Sequence, residues 1–384
     1  MKVPTGDSLP SHGRRDWRDE RGMTYVIVGL GFMSFMAAMT LAVDVGMFMT
    51  ARSQAQNAAD AGALAGATAL AFNDYNNRSA TGPAVSSAIS AARANSMMGD
   101  APSVVTSDVT FPTDPAGQPN RVRVSVHRMT ARDNAIPTLI GGLFGVPTVS
   151  IGANATAEVS PANAMTCVKP FMIPDRYIDN DGNGDFDIGI DEYSPPAEAG
   201  YVGYTLEHDI GTELMIRAGT GDQMNPIFYF SWKMSGGTGG DFYRENIENC
   251  NTELVTYDPD NPMVLIQEPG NMHGPTVQGI EALIAKDPNA YWDSRCNCVK
   301  GSQYSGPSPR VFPIPLFNPQ YYAEGKASGR GASFELANFL GFFVVSVENN
   351  GQIHGIIAPV AGVVDGDAGP APIHMFPRAI RLVQ

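Results

Sequence analysis

The chain has 384 residues, of which 43% are hydrophobic and 17% charged, and it carries a net charge of −14. That length accommodates two folded units and a further segment, and the acidic balance argues against binding nucleic acid or anionic lipid, because phosphate recognition needs clustered Lys and Arg. The charge is unevenly laid down: residues 1–160 hold 12 basic and 12 acidic residues, residues 161–384 hold 13 and 27, and all four cysteines fall in the second part, which places a boundary near Ser160-Pro161.

In chain order, a charged tail comes first (residues 1–21), ending Arg14-Arg15-Asp16-Trp17-Arg18-Asp19-Glu20-Arg21. An uncharged run from Gly22 to Val43 follows, and as a helix its 22 residues reach about 33 Å, enough to cross a bilayer core. Five basic residues precede the run (Lys2, Arg14, Arg15, Arg18 and Arg21), and only Arg52 lies close behind it. The positive-inside rule then sets the N-terminus in the cytoplasm and the chain beyond residue 50 across the membrane. A cleaved secretory signal is the alternative. Its apolar region is typically only about 7–15 residues, and no small-x-small cleavage site follows this longer run.

We read a transmembrane helix over 22–48 and its continuation over 49–72. Ser34, Ala38, Ala42, Gly46 and Thr50 recur every fourth residue and share one helix face. Small residues let a second helix approach closely in lipid, where packing replaces the absent hydrophobic drive. Asp44 sits where the helix leaves the outer leaflet. A carboxylate there is costly unless it reaches water or a partner, so it marks the end of the span or meets a basic or hydroxyl group on a partner helix. From Ala51 to Ala67 the chain is rich in alanine, the best helix former, and no proline occurs between Met23 and Thr81. One helix from Thr24 to Phe72 is the economical expectation, with Gly62 and Gly66 again four apart for close packing.

These residues carry a resemblance. Glu20-Arg21-Gly22, an apolar span, Ala42-Val43-Asp44-Val45-Gly46 and then Ala51-Arg52-Ser53-Gln54-Ala55-Gln56-Asn57-Ala58-Ala59-Asp60-Ala61-Gly62-Ala63-Leu64-Ala65-Gly66-Ala67 resemble the N-terminal signature of the TadE/TadG-like Flp pilus-assembly proteins. The likeness is dense over residues 20–70 and fades by about residue 160. It implies a bacterial inner-membrane component of the tight-adherence (Tad) pilus machinery, partnered by other inner-membrane pilus-assembly subunits. The role it implies is structural, so it carries over no catalytic residue. The chain departs from type IV prepilins in one respect: the fifth residue after Gly22 is Ile27, not Glu. We therefore expect it to stay uncut in the membrane.

Residues 73–160 are expected to form a small α+β module. Val85 to Ala94 reads as a helix. Val104 to Phe111 and Arg121 to His127 read as strands around the turn Pro112 to Asn120. Ile136 to Phe144 reads as a short apolar helix, and Thr148 to Val159 as a third strand. His127 reads as an ordinary surface histidine.

The remainder, 161–384, is expected to be an acidic, β-rich, loop-rich periplasmic domain, making the fold class α+β overall. Its sharpest motif is Asp179-Asn180-Asp181-Gly182-Asn183-Gly184-Asp185-Phe186-Asp187. Oxygen donors at positions 1, 3 and 5, a glycine at 6 and an acid at 9 open an EF-hand-type calcium loop. Gly184 permits the bend and Asp185 offers its carbonyl. Ile190 stands where the bidentate Glu belongs, but Asp191 and Glu192 follow and serve if the loop is one residue longer. The candidate Ca²⁺ ligands are therefore Asp179, Asp181, Asn183, Asp185, Asp187, Asp191 and Glu192, as a structural clip in the weak extracellular range of about 10⁻⁴–10⁻³ M. A solvated acidic turn is the alternative.

Cys167, Cys250, Cys296 and Cys298, even in number and placed outside the cytoplasm, suggest disulfides. Cys296 and Cys298 are read as too close to pair with each other, so each is expected to bond one of Cys167 and Cys250. Cys-Asn-Cys with no second close pair makes a poor zinc site. Val277 to Lys286 reads as an amphipathic helix after a turn holding Glu268 and His273. Phe342 to Glu348 and Ile353 to Pro359 around Asn349-Asn350-Gly351 read as a hairpin, and Ala379 to Val383 as a last strand. The expected function is a non-enzymatic, membrane-anchored component of the Flp/Tad assembly or adhesion machinery. An anchored periplasmic hydrolase using Glu268 or His273 is an alternative, although no Gly-x-Ser-x-Gly elbow, His-Glu-x-x-His pair or phosphate loop is present. A surface-ligand-binding adhesin is another.

Overall fold

A computed structural model describes residues 20–219, 223–270, 272–329 and 333–383. The basic tail residues Lys2, Arg14, Arg15 and Arg18 lie outside them, as does the side chain of Arg21. One helix, α1 (Glu20–Phe72, 53 residues), dominates the N-terminal part and is about 80 Å long at 1.5 Å per residue. Its two halves differ in what surrounds them. The described side chains from Met23 to Val43 are all exposed. Beyond them Ala51, Ala55, Ala58, Ala59, Ala63, Ala67 and Leu70 are buried on one face at helical spacing.

That buried face packs on helix α2 (Pro83–Ala94) and on a sheet containing β1 (Val109–Thr110), β2 (Arg121–Arg128) and β3 (Ile151–Pro161). Pro83 starts α2, where a missing amide costs nothing. Small residues let the layers close. A Cβ on Gly66 would lie 2.8 Å from Val122 Cγ1 and 3.0 Å from Ala88 Cβ, so only glycine fits there. The tight packing expected of Gly62 and Gly66 is thus present, but within the chain.

The strand expected over 104–111 shrinks to β1, because Thr106–Asp108 forms a 3₁₀ turn whose Asp108 carboxylate accepts the Val105 amide at 2.8 Å. The helix expected over 136–144 does not form. Ile136–Pro137 pairs with Thr148–Val149 as a short hairpin, closed by a 3₁₀ turn at Gly141–Phe144. The sheet has a fourth strand from the far end of the chain: the C-terminal strand Arg378–Val383 pairs with β3 from Pro161 to Thr156. The last strand is therefore where it was expected in sequence, but it completes the sheet of the first module.

The acidic part contains a closed six-stranded ring. Its members are β4 (Phe171–Pro174), β5 (Glu213–Ala218), β6 (Phe228–Ser231), β8 (Val311–Phe317), β9 (Ser333–Val347) and β10 (Ile353–Ile357). Around the ring the order is β9, β8, β4, β6, β5, β10 and back to β9. The β8–β4 and β5–β6 pairs are parallel and the others antiparallel. Strand β7 (Val264–Ile266) adds to the edge of β9. The β9–β10 hairpin turns at Asn349-Asn350-Gly351 as expected, with the Glu348 amide bonded to the Gln352 carbonyl at 2.8 Å. Aromatic side chains make up much of the core of the acidic part; Phe317 and Phe334 meet edge to face at 4.7 Å, and Tyr322 stacks on Phe334 at 4.8 Å. Helices α3 (Gly240–Glu248), α4 (His273–Lys286) and α5 (Pro319–Ala327) pack outside the ring, and α4 contains the helix expected over 277–286.

Candidate functional site

The apolar half of α1 carries its own hydrogen bonds. The Ser34 hydroxyl donates to the Leu30 carbonyl at 2.9 Å and the Thr50 hydroxyl to the Gly46 carbonyl at 3.0 Å. Ser34, Ala38, Ala42 and Gly46 are all exposed, so the small-residue stripe is open to a neighbour along the helix.

Asp44, set within the same span, is different. It is only 6% exposed. Its carboxylate accepts the backbone amides of Leu139 (2.9 Å), Ile140 (3.1 Å) and Gly141 (3.0 Å). The sequence suggested either the end of the span or a basic or hydroxyl partner on another helix. The partner is instead the backbone of a loop 95 residues further along the same chain. The only sequence sign of this loop is the apolar, uncharged stretch around Gly141-Gly142, whose composition suits a helix equally well. Three consecutive amides aimed at one carboxylate are unavailable to a continuing helix, and this accounts for the misreading.

The acidic loop folds as a turn on Asp179. Burial draws its carboxyl pKa up, but the Gly184 and Gly182 amides at 2.9 and 2.7 Å outweigh that and hold it below the usual value. Gly184 has φ +81°, the left-handed conformation expected of it. Asp191 is buried and accepts the Asn180 amide with one oxygen and the Asp187 amide with the other, both at 2.8 Å. This brings Asp179, Asp181 and Asp191 together, with ligand oxygens all within 4.8 Å of one another. Calcium–oxygen distances of about 2.3–2.6 Å allow one ion to touch all three. Asp191, twelve residues after Asp179, thus closes the turn. Asn183 points its amide at Asp181 (3.0 Å) and Asp187 (2.7 Å), while Glu192 is exposed and pairs through its backbone with Ile178. Asp185 has one buried carboxylate oxygen without a hydrogen-bond partner. The Tyr177 hydroxyl ties the loop to the barrel through the Gly184 and Met224 carbonyls at 2.9 and 3.2 Å.

The cysteine pairing corrects the sequence expectation. Cys167 bonds Cys250, and Cys296 bonds Cys298. The intervening Asn297 has φ +48°, and this left-handed turn brings the two Cα atoms to 5.2 Å, within the ordinary range for a disulfide. Asn tolerates that conformation better than most residues, which is the signal that spacing alone does not give.

The Glu268 carboxylate is buried and accepts the Gly239 amide at 2.8 Å, at the start of α3. His273 begins α4, with its ring against Gly351 of the β9–β10 turn.

Among the described residues, one helix, at the N-terminal end, is long and apolar enough to cross a membrane, and its continuation is the spine of a folded module. Residues 22–69 match the family model described as Flp pilus-assembly TadE/G-like. The match ends three residues before α1 does, and bears out the resemblance drawn from residues 20–70. No curated protein and no solved structure matches the chain.

Proposed function

We propose that the protein is a non-enzymatic, single-pass component of a Flp/Tad pilus-assembly or adhesion apparatus in the bacterial inner membrane. Its N-terminus is cytoplasmic and the barrel lies in the periplasm. The observation that carries this reading is the TadE/G-like match over residues 22–69, lying on a helix whose first half is exposed and apolar. On this reading Ser34, Ala38, Ala42 and Gly46 receive a helix of another pilus-assembly subunit, because a small-residue face gains by close packing in lipid. One face of the second half of α1 is already covered by its own module, so the stripe open to a partner is the one on the membrane half.

A calcium ion held by Asp179, Asp181 and Asp191 would clip the acidic turn to the barrel through Tyr177. The clustered carboxylate oxygens and the unpartnered Asp185 oxygen fit a hard, oxygen-seeking cation. The ion is structural on this reading and takes no part in a reaction.

A photo-crosslinking residue at Ala38, in native membranes, tests the assignment. Crosslinks to an inner-membrane pilus-assembly subunit, reduced by Ala42→Leu, are expected. Membrane-inserted protein that crosslinks only to lipid would overturn it.

A further inference from the structure

We propose that the turn at residues 138–147 is a second membrane contact, dipping into the outer headgroup–acyl boundary beside α1. This rests on α1 being the anchor.

The depth follows from Asp44. It is the only charged residue from Gly22 to Thr50, a helical stretch of about 43 Å against a hydrocarbon core of about 30 Å. Twenty-two uncharged residues precede it, so it stands at the outer boundary of the core when the run is embedded. Val45 and Met49, beyond it, are still exposed and apolar. The turn is bonded to Asp44 itself, and therefore lies at the same level.

The composition suits that level. No charged residue occurs from Asn134 to Ala157, although Asp133 and Glu158 flank the segment. Leu139 is 68% exposed and Val146 50% exposed, although both are aliphatic. Exposed aliphatic side chains on a charge-free turn suit lipid, and the level fixed by Asp44 puts lipid beside them.

The backbone decides whether a non-helical turn can enter the interface, since lipid satisfies no amide. Here the amides of residues 138–141 and of Val146 are met from within. Leu139, Ile140 and Gly141 donate to Asp44, Thr138 donates to the Pro147 carbonyl at 3.0 Å, and Val146 to the Gly141 carbonyl at 2.8 Å. The Thr138 hydroxyl donates to the Val146 carbonyl at 2.7 Å. The same bonds relieve Asp44, which would otherwise be a carboxylate at the edge of the membrane without a partner. Helix and turn thus remove each other's penalty for lying there.

The test uses the full chain in vesicles of phosphatidylethanolamine and phosphatidylglycerol. All four cysteines are in disulfides, so Leu139→Cys accepts an environment-sensitive fluorophore selectively. Leu30→Cys in the anchor and Val105→Cys on the exposed face of the module are the references. Lipids carrying a doxyl quencher near the headgroup should quench the probe at 139 several-fold more than at 105, and Asp44→Ala should reduce that quenching. Quenching at 139 no greater than at 105, or shielding from aqueous iodide without doxyl quenching, overturns the proposal; the second outcome points to a protein cover. If a doxyl at the acyl-chain end also leaves the probe at 30 unquenched, the anchor reading itself has failed.

Discussion

Asp175 shows most clearly how single residues shape this molecule's response to its surroundings. It is fully buried at the end of β4 and meets the hydroxyls of Tyr193 and Tyr201, each at 3.3 Å. Burial pushes its carboxyl up to about 7, against the pull of the Arg176 amide and the two hydroxyls. In the unfolded chain it titrates near 3.9. Between those values the folded protein keeps a proton that the unfolded chain has lost, so this group lowers stability as pH rises from about 4 to about 7, by roughly 4 kcal/mol in full. Urea unfolding of Asp175→Asn should lose that decline; a variant that falls with pH as steeply as the parent would contradict it. The acidic loop makes its own prediction. Millimolar calcium should raise the melting temperature of the parent and leave Asp179→Ala/Asp181→Ala unmoved, and an unmoved parent would remove the clip. At this scale the sequence was informative where donors are close along the chain: Asp179, Asp181 and Gly184 could be placed from spacing alone. It was silent on Asp175 and on the Asp44 clasp, because their partners are fixed only by tertiary folding.

At the level of elements, the long helix is the most legible feature and also does the most structural work. Alanine content and the absence of proline give its extent, and its buried stripe follows from the spacing of 3.6 residues per turn. Gly66 is where helix propensity and packing oppose each other. Replacing it by leucine gains about 1 kcal/mol of propensity, but the new side chain must enter the space held by Val122 and Ala88. Overpacking costs of about 1–3 kcal/mol for added methylenes make Gly66→Leu destabilising, whereas Thr68→Leu on the exposed face should change little. Equal denaturation midpoints for the two variants would refute the packing described. The misread elements share a cause. Residues 136–144 have apolar content suited to a helix, yet the amides of Leu139, Ile140 and Gly141 are held by a carboxylate from α1. Cys296 and Cys298 look too close to pair until Asn297 adopts a left-handed turn.

On the scale of the whole molecule, α1 and the C-terminal strand join the parts. The composition break near residue 160 marks a real change from neutral to acidic sequence, but β3 runs across it and the final strand crosses back. Arg378 reaches Glu207 at 3.0 Å, and Arg381 reaches the buried Glu158 at 2.9 Å. Ending the chain after Pro377 should expose the edge of β3 and lower the melting temperature by several degrees; an unchanged melting curve would show that the strand is dispensable. The ring of six strands was not legible in advance, because its closure depends on β9 pairing with strands on both sides and on two parallel pairs that no local pattern specifies. What was legible was the long apolar helix, and the functional account depends on its being an anchor. Protease added to spheroplasts after alkaline extraction controls tests it most directly. The account predicts that the full-length chain stays in the carbonate-resistant membrane pellet and that protease outside the spheroplast removes the part beyond Thr50 while a tag at the N-terminus survives. Recovery of the uncut chain in the soluble cytosolic fraction would contradict it.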